Sequence, residues 1–262
     1  MTKLELEMIE ILKELKQNYS VVAIKAELEA EGSRLPELMR LKEVSNSVGL
    51  PLTIKIGGAE AISDMYDARQ IGVSKIVAPM VESKYALQKY LASIQKAFPE
   101  ETERDKTEFF VNIETIDAYK NFDKMLELEN IKDLDGIVLG RSDMLGSLGL
   151  AKKDINSEQV FNIAKNLVLK ANKAGLKFVI GGNVNSDSLD FFRRLPKDNF
   201  IGFETRKVIF KCPEALGDKA EEGINKALQF ELLWLENKKN YYATIAAEDD
   251  SRIDNLQLRF SK

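Results

Sequence analysis

The sequence predicts an α/β protein of the (β/α)8 TIM-barrel type, and three observations support this prediction. Short apolar runs alternate with amphipathic stretches along most of the chain, a pattern typical of parallel strands joined by crossover helices. Several helical stretches end at a glycine just before the next apolar run, as at Gly49, Gly72 and Gly175, and glycine is a common helix stop. The chain has 262 residues, a length at which such barrels form one domain.

Seven of the apolar runs are predicted as strands because of their length and their β-branched and aromatic content. They are VVAIKAELE (21–29), LTIKIG (52–57), KIVAPMVES (75–83), FFVNIET (109–115), DGIVLGR (135–141), KFVIGG (177–182) and FIGFETRKVIF (200–210). The eighth strand is not evident. Three alternatives stay open: a strand within YYATIAAE (241–248), an incomplete barrel, or closure by the N-terminal helix.

The C-terminal part of the chain is predicted to be a helical extension. We expect the barrel to occupy residues 1–210 and the extension residues 211–262, with a long helix from about Glu214 to Asn240. This helix is longer than a barrel needs, so it is expected to pack on the barrel or on a neighbouring subunit. The charged end, EDDSRIDNLQLRFSK, is expected to be loosely ordered.

Composition excludes several classes of protein. The net charge is −4 with acidic and basic residues mixed, which argues against general nucleic-acid binding. No stretch approaches the roughly 20 apolar residues that a membrane span requires. The acidic, amphipathic N-terminus resembles neither a secretory signal nor a transit peptide. A single cysteine, Cys212, permits no internal disulfide, so a cytoplasmic location is expected.

The absence of histidine restricts the chemistry further. Without imidazole the chain can form neither a Ser-His-Asp nor a Cys-His arrangement. Any metal must be held by oxygen ligands, which favours magnesium, manganese or calcium over zinc or copper. Acid–base catalysis would depend on Glu, Asp, Lys, Tyr or a bound water.

Charged residues cluster where the predicted strands end, which is the functional end of such a barrel. Side chains two apart on a strand share a face. The residues grouped in this way are Lys25, Glu27 and Glu29 on the first strand, Thr53 and Lys55 on the second, Asn112 and Glu114 on the fourth, Glu204 and Arg206 on the seventh, and Asp143 just past the fifth. Ion pairing across the barrel is the alternative to a catalytic role for Lys25, Glu27, Glu204 and Arg206.

Glu114 and Asp143 are the most specific pair of candidate metal ligands. They are 29 residues apart, which is one βαβ step, so they are expected on adjacent strands at similar height. Two carboxylates that close repel each other unless a cation lies between them. A divalent ion held by two protein oxygens, waters and a bidentate substrate is the usual arrangement for magnesium. The sequence therefore predicts a metal site here.

Three successive segments carry a family resemblance: IVAPMVES, VNIET and DGIVLGRSDMLGSLG. Together they resemble motifs of the HpcH/HpaI aldolase and citrate lyase β-subunit family, over roughly residues 20 to 210. The resemblance implies a barrel enzyme that makes or breaks a carbon–carbon bond next to a 2-oxo acid or a thioester. It implies Mg²⁺ or Mn²⁺ as cofactor, a pyruvate-like substrate, and a homo-oligomer, either a trimer or a hexamer.

The resemblance also implies roles for individual residues. Glu114 and Asp143 match the metal ligands, and Asn112 matches a polar residue that supports the site. The turn Gly140-Arg141-Ser142 matches a segment whose backbone N–H groups hold the substrate carboxylate. Lys55 stands where the family usually has an arginine that contacts the oxygens of the 2-oxo acid.

Two further cations are expected to take part. Lys25 is interpreted as a substrate-binding residue, and Arg206 is expected to add positive charge for the enolate or a substrate carboxylate.

The chain departs from the family pattern in two places. The aldolase branch has a histidine that assists proton transfer, whereas the corresponding segment here is ELEAEGSR. Glu29 or Glu31 is the candidate replacement, and Glu29 is the one expected to be catalytic. Lysine in place of arginine at residue 55 also loses the bidentate fork of the guanidinium group.

Two other functions compete with a metal-dependent aldolase. Lys25 or Lys55 could form a Schiff base, as in metal-independent aldolases. Alternatively, the barrel could bind a 2-oxo acid without turning it over, and the missing histidine favours that hypothesis.

Overall fold

Residues 1–260 are described by the computed structural model, and in them eight strands form a closed barrel in chain order. The strands are β1 (Val21–Glu27), β2 (Leu52–Lys55), β3 (Lys75–Ala78), β4 (Glu108–Asn112), β5 (Gly136–Gly140), β6 (Lys177–Gly181), β7 (Phe200–Glu204) and β8 (Val208–Lys211). Consecutive strands from β1 to β7 pair in parallel. The predicted barrel and its seven parallel strands are confirmed.

Ten α-helices accompany these strands within the described residues. They are α1 (Lys3–Asn18), α2 (Leu35–Asn46), α3 (Ile62–Ile71), α4 (Lys84–Ala97), α5 (Glu101–Arg104), α6 (Ile116–Leu126), α7 (Arg141–Ser147), α8 (Glu158–Lys173), α9 (Leu189–Arg193) and α10 (Ala220–Phe260). The main apolar core lies between the barrel and its helices, where amphipathic faces bury residues such as Leu12, Leu41 and Leu167. Hydrophobic burial against the outer face of the strands thus holds the helices in place.

The eighth strand lies where none of the three alternatives from the sequence placed it. The run 200–210 is not one strand, because it turns back at Thr205 and continues as β8. The turn is closed by the side chain of Thr205, whose Oγ1 accepts a hydrogen bond from the backbone N–H of Val208 at 3.2 Å. Strand β8 is antiparallel to both β7 and β1 and so closes the barrel. Residues 241–248 lie in α10 and form no strand.

The barrel interior is arranged in three layers. At the bottom, Glu108 pairs with Lys75 at 3.0 Å and with Lys177. Four buried apolar side chains fill the middle: Val77, Phe110, Val138 and Val179. The upper layer, at the C-terminal ends of β1 to β7, is polar and charged. The charged residues therefore concentrate at the end of the barrel where function was predicted.

Helix α10 runs the height of the barrel and then projects beyond it. Near its start, Gly223 packs so closely on Tyr19 that a Cβ atom would lie 3.0 Å from that of Tyr19. Its first half packs along α1 and buries Phe230 and Trp234. The exposed second half is helical to Phe260, so the helix continues well past the expected end near Asn240; Ser261 and Lys262 lie outside the described residues. The last strand ends at Lys211, one residue past the expected boundary.

None of the helices within residues 1–260 has the combination of length and apolar character that a membrane span requires.

The packing of α10 gives a test of its place in the barrel. Phe230 is fully buried, and Phe230→Ala is expected to lower the free energy of unfolding by about 3–5 kcal/mol because it leaves a cavity. Leu258→Ala, on the exposed end of the same helix, is expected to change it by less than about 0.5 kcal/mol. Urea unfolding of the three proteins measures both values. Equal stabilities would show that α10 does not pack on the barrel in this way.

Candidate functional site

A cavity of about 710 Å³ opens at the charged end of the barrel. Six carboxylates line it: Glu27, Glu29, Glu114, Asp143, Glu204 and Glu231. Four cationic side chains also line it: Lys25, Lys55, Lys152 and Arg206. Its lining therefore carries two more negative than positive formal charges.

Lys25 lies between two carboxylates in the barrel interior. Its ammonium group donates a hydrogen bond to Glu204 and lies 3.1 Å from Glu27. Burial alone would lower the pKa of Lys25, but the charges of Glu204 and Glu27 outweigh burial and raise that pKa above its ordinary value. Arg206 lies 3.7 Å from the second oxygen of Glu27. The expected ion pairing across the barrel is therefore present, with Lys25 at its centre.

Lys55 repeats this arrangement one strand further along. Its Nζ lies 2.8 Å from Glu29 and 3.5 Å from Oε2 of Glu114. Burial opposes the charged form, yet the neighbouring carboxylates, Glu114 first, raise the pKa of Lys55. Both buried lysines are thus held as ammonium ions.

Glu114 is the most deeply buried carboxylate of the cavity, with 1% of its surface exposed. Its Oε1 accepts a hydrogen bond from the backbone N–H of Met80 at 3.0 Å, and its Oε2 accepts one from the Asn112 amide at 2.6 Å. Gly140 makes room for it, since a Cβ atom there would lie 2.6 Å from Oε2. Burial raises the pKa of Glu114; Lys55 and these hydrogen bonds oppose the rise, and the charge of Asp143 adds to it.

Asp143 lines the same cavity as this buried group. It is exposed, in the first turn of α7, directly after β5. Strand β5 pairs with β4, which leads to Glu114, so the two carboxylates follow neighbouring strands as predicted. Within residues 1–260, no three carboxylate or cysteine side chains come together as a ready metal site. A metal here would therefore take its other ligands from water and substrate.

The residues present fit a divalent cation. The excess of two negative charges in the cavity lining equals the charge of one such ion. Asn112 Oδ1 is buried and has no hydrogen-bond partner among the described residues. A buried polar atom without a partner is costly, so its position beside Glu114 favours an oxygen-seeking ligand in the cavity. All the donors are oxygens, which suits Mg²⁺ or Mn²⁺.

The side chain of Arg141 is directed away from the cavity. It is fully buried; its guanidinium donates to the carbonyl oxygens of Gly181 and Gly182 and to Ser188, and packs on the ring of Phe192. This side chain joins the loops that follow β5 and β6. Its neighbours in the turn, Gly140 and Ser142, do line the cavity.

The two candidates for the missing base are both engaged by lysines. Glu29 lines the cavity but pairs with Lys55. Glu31 lies outside the cavity lining, where it pairs with Lys207 at 2.5 Å and accepts a hydrogen bond from the backbone of Glu27. The strand pattern could not predict the pairing of Glu31, because Lys207 reaches the rim only through the reversal between β7 and β8.

Helix α10 supplies two cavity residues that sequence reasoning missed, Leu228 and Glu231. Glu231 Oε1 lies 4.0 Å from Arg206 Nε. Nothing in the sequence marks these positions, since an amphipathic helix pattern does not say that one turn of the helix borders a barrel mouth.

A family model matches this chain. The model for HpcH/HpaI aldolase/citrate lyase covers residues 53–197, which is more than half of the sequence. No curated protein matches the chain in sequence.

Solved structures show the same fold. An HpcH/HpaI aldolase/citrate lyase family protein from Burkholderia cenocepacia is 11% identical, with a TM-score of 0.61 over 92% of this chain and 90% of that one. The citrate synthase SbnG is 16% identical, with a TM-score of 0.60 over 90% of both chains. An HpcH/HpaI aldolase from Desulfitobacterium hafniense is 12% identical, with a TM-score of 0.57 over 71% of this chain and 77% of that one. At these identities the likeness concerns the fold alone.

The bridging role of Lys25 gives a second test. Lys25→Met leaves Glu27 and Glu204 buried without their cation and is expected to cost about 3–5 kcal/mol of stability at pH 7. Lys13→Met, which removes an exposed pair with Glu10, should cost less than about 1 kcal/mol. Urea unfolding measures both.

The penalty for Lys25→Met should also depend on pH. Burial alone would raise the pKa of Glu27, but Lys25 and Lys55 outweigh it and hold that pKa below its ordinary value. Ionised Glu27 therefore stabilises the folded protein at pH values above the pKa that Glu27 has in the unfolded chain. This stabilisation is lost as the pH falls through the lower pKa that Glu27 has in the folded protein. Protonation of Glu27 also removes its repulsion with Glu204 in the variant, where Lys25 no longer lies between them. The difference between variant and wild type should shrink from pH 7 towards pH 4; a constant difference would contradict the bridge.

Proposed function

The chain belongs to the HpcH/HpaI aldolase/citrate lyase family, and we propose that it is a metal-dependent carbon–carbon lyase that acts next to a pyruvate-like 2-oxo acid. The family supports an aldolase or lyase type of activity. The observation that supports the metal-dependent form is that buried Glu114 and exposed Asp143 line the same cavity, whose lining carries two excess negative charges.

Glu114 and Asp143 would hold the ion, and Asn112 would support the site through the hydrogen bond that its amide N–H donates to Glu114. A bound Mg²⁺ or Mn²⁺ would supply Lewis-acid stabilisation of the negative charge that develops on the 2-oxo acid when the carbon–carbon bond breaks. The hydrogen bonds from Asn112 and Met80 fix the carboxylate of Glu114 in one orientation, which prepares it for a ligand in advance.

The cationic side chains would orient the substrate. Lys55 lies beside Glu114, so its ammonium can meet the keto or carboxylate oxygens of a 2-oxo acid held there. Lys25 lies deeper among its carboxylates and sets the electrostatic environment below the substrate. Arg206 is about half exposed at the rim, where it can pair with an acidic group on the other half of the substrate. The turn Gly140–Ser142 would bind the substrate carboxylate through its backbone N–H groups, since Gly140 and Ser142 line the cavity.

The structure gives no support to the Schiff-base alternative. A nucleophilic lysine must lose its proton near neutral pH, which requires a lowered pKa. The acidic neighbours of Lys25 and Lys55 instead raise the pKa of each group. The remaining alternative is a barrel that binds a 2-oxo acid without turnover, which the missing histidine favours.

Ligand-induced stabilisation tests the proposed metal site. Mg²⁺ or Mn²⁺ together with pyruvate, each at about one hundred times its Kd, should stabilise the wild type by about 2.7 kcal/mol or more, and so raise Tm by about 5–10 °C. Glu114→Gln and Asp143→Asn should lose most of this shift, because each removes an anionic ligand. Thermal unfolding with metal and with EDTA measures it.

The matched control for these variants is Glu129→Gln, an exposed carboxylate away from the cavity, which should respond as the wild type does. Conversion of 4-hydroxy-2-oxo acids to pyruvate, followed in the same samples, separates an enzyme from a binding barrel. An equal shift in EDTA would exclude the metal site, and a metal-dependent shift without turnover of any tested substrate would favour the binding barrel.

We further propose that the chain forms a homo-oligomer, a trimer or a hexamer, through the projecting half of α10. Ile253, Leu256 and Phe260 follow one another at helical spacing and are at least half exposed, an arrangement that favours helix pairing. Light scattering should give three or six times the chain mass of 29.6 kDa. Leu256→Glu should lower the mass, whereas Asp254→Asn should not. A wild type that runs as a monomer at micromolar concentration would refute this.

A further inference from the structure

The proposed reaction needs a group that takes up and returns a proton, and the chain has no histidine for it. Among the described residues, the cavity offers six carboxylates and two buried lysines. The lysines are held as ammonium ions and cannot accept a proton. Glu27 and Glu204 pair with Lys25, while Glu29 and Glu114 pair with Lys55.

Two carboxylates remain after these pairs, Asp143 and Glu231. Asp143 is assigned above to the metal. Glu231 has no cation closer than Arg206, at 4.0 Å, in the part of the chain that the structure describes. It is therefore the cavity carboxylate least committed to another group.

The position of Glu231 suits a group that must exchange protons with both substrate and solvent. It lies on α10 at the cavity wall, with 21% of its side chain exposed. Phe230 and Trp234, on either side of it, are buried and fix this turn of the helix against the barrel. A base on a rigid helix is held more precisely than one on a loop.

The surroundings of Glu231 favour proton uptake. Burial raises its pKa above the ordinary value of 4.5. Arg206 and Lys207, from the turn between β7 and β8, oppose the rise, whereas Glu31 and Glu27, from β1 and its following loop, add to it. A carboxylate with a raised pKa accepts a proton more readily than an ordinary glutamate does.

We infer that Glu231 is the general base and general acid of the reaction, a role that rests on the proposed function. In the cleavage direction the Glu231 carboxylate takes the proton of the 4-hydroxyl group of a 4-hydroxy-2-oxo acid. The C3–C4 bond breaks, the oxygen electron pair forms the aldehyde carbonyl, and the C3–C4 pair moves into the enolate of the 2-oxo acid. Glu231 then returns the proton to C3, so substrate and products balance without another reactant.

This assignment lies outside what the family match describes. The match covers residues 53–197, whereas Glu231 is part of the C-terminal helix. Because β8 is antiparallel, the chain leaves the barrel at its bottom, and α10 must pass the cavity mouth on its way up. The topology that closes the barrel therefore also delivers this carboxylate.

The first test follows exchange of the methyl protons of pyruvate for deuterium by proton NMR in D₂O with Mg²⁺. Glu231→Gln should slow this exchange by about 100-fold or more, the usual contribution of a general base. It should keep the thermal stabilisation by Mg²⁺ and pyruvate, because it leaves the metal site intact. Glu236→Gln, exposed on the same helix, is the matched control and should exchange at the wild-type rate.

A second readout needs no metal or turnover. In protein labelled with ¹³C at the glutamate carboxyls, the resonance that is missing from the spectrum of Glu231→Gln belongs to Glu231. In the wild type this resonance should titrate above the ordinary glutamate range. The wild-type exchange rate should rise with pH through that same pKa, since the base must be ionised, and this rise should be missing in the variant.

The possible outcomes separate the two proposals. Two results would overturn the role of Glu231 and leave the proposed function in place. One is deuterium exchange by Glu231→Gln at the wild-type rate, and the other is a Glu231 resonance in the wild type that titrates in the ordinary glutamate range. A wild type that exchanges no deuterium and shows no stabilisation by metal and pyruvate overturns the proposed function, and the role of Glu231 falls with it.

Discussion

Burial of charge inside the barrel is the constraint on which the rest of the site depends. A carboxylate moved from water into a protein interior is tolerated only when cations or hydrogen bonds compensate it. Two lysines meet this need, since Lys25 lies between Glu27 and Glu204, and Lys55 lies between Glu29 and Glu114. The cavity lining remains negative overall after these pairs, which favours the binding of a further positive charge.

Small residues give this charged layer its space. A Cβ atom at Gly140 would approach Glu114, and one at Gly181 would lie 2.9 Å from Cγ of Glu204. Below them the layer of Val77 and Phe110 closes the barrel against water. The layer of charged groups therefore lies on an apolar floor and contacts solvent only at the rim of the barrel. Electrostatic interactions within this layer are stronger than in bulk water.

The sequence predicted those parts of the molecule that follow from local pattern. Seven strands, the face shared by Asn112 and Glu114, and the neighbouring position of Asp143 all follow from alternation and from the βαβ repeat. What it could not predict depends on tertiary contacts. The eighth strand was hidden because a turn at Thr205, without glycine or proline, divides one apolar run into two strands. Burial of the Arg141 side chain depends on loops far away in sequence.

The antiparallel closing strand has a consequence for how the chain becomes a barrel. Strand β1 pairs with β2 and β8, so one edge of β1 stays open until Lys211 has been synthesised. Lys25 and Glu204, which form an ion pair in the folded barrel, are separated by 179 residues. Joining such distant segments carries a loop-closure entropy that slows folding. During biosynthesis we therefore expect closure of the barrel and the pairing of Lys25 with Glu204 to be late events, and until β8 is in place β1 and β7 each keep one unpaired edge that can mispair.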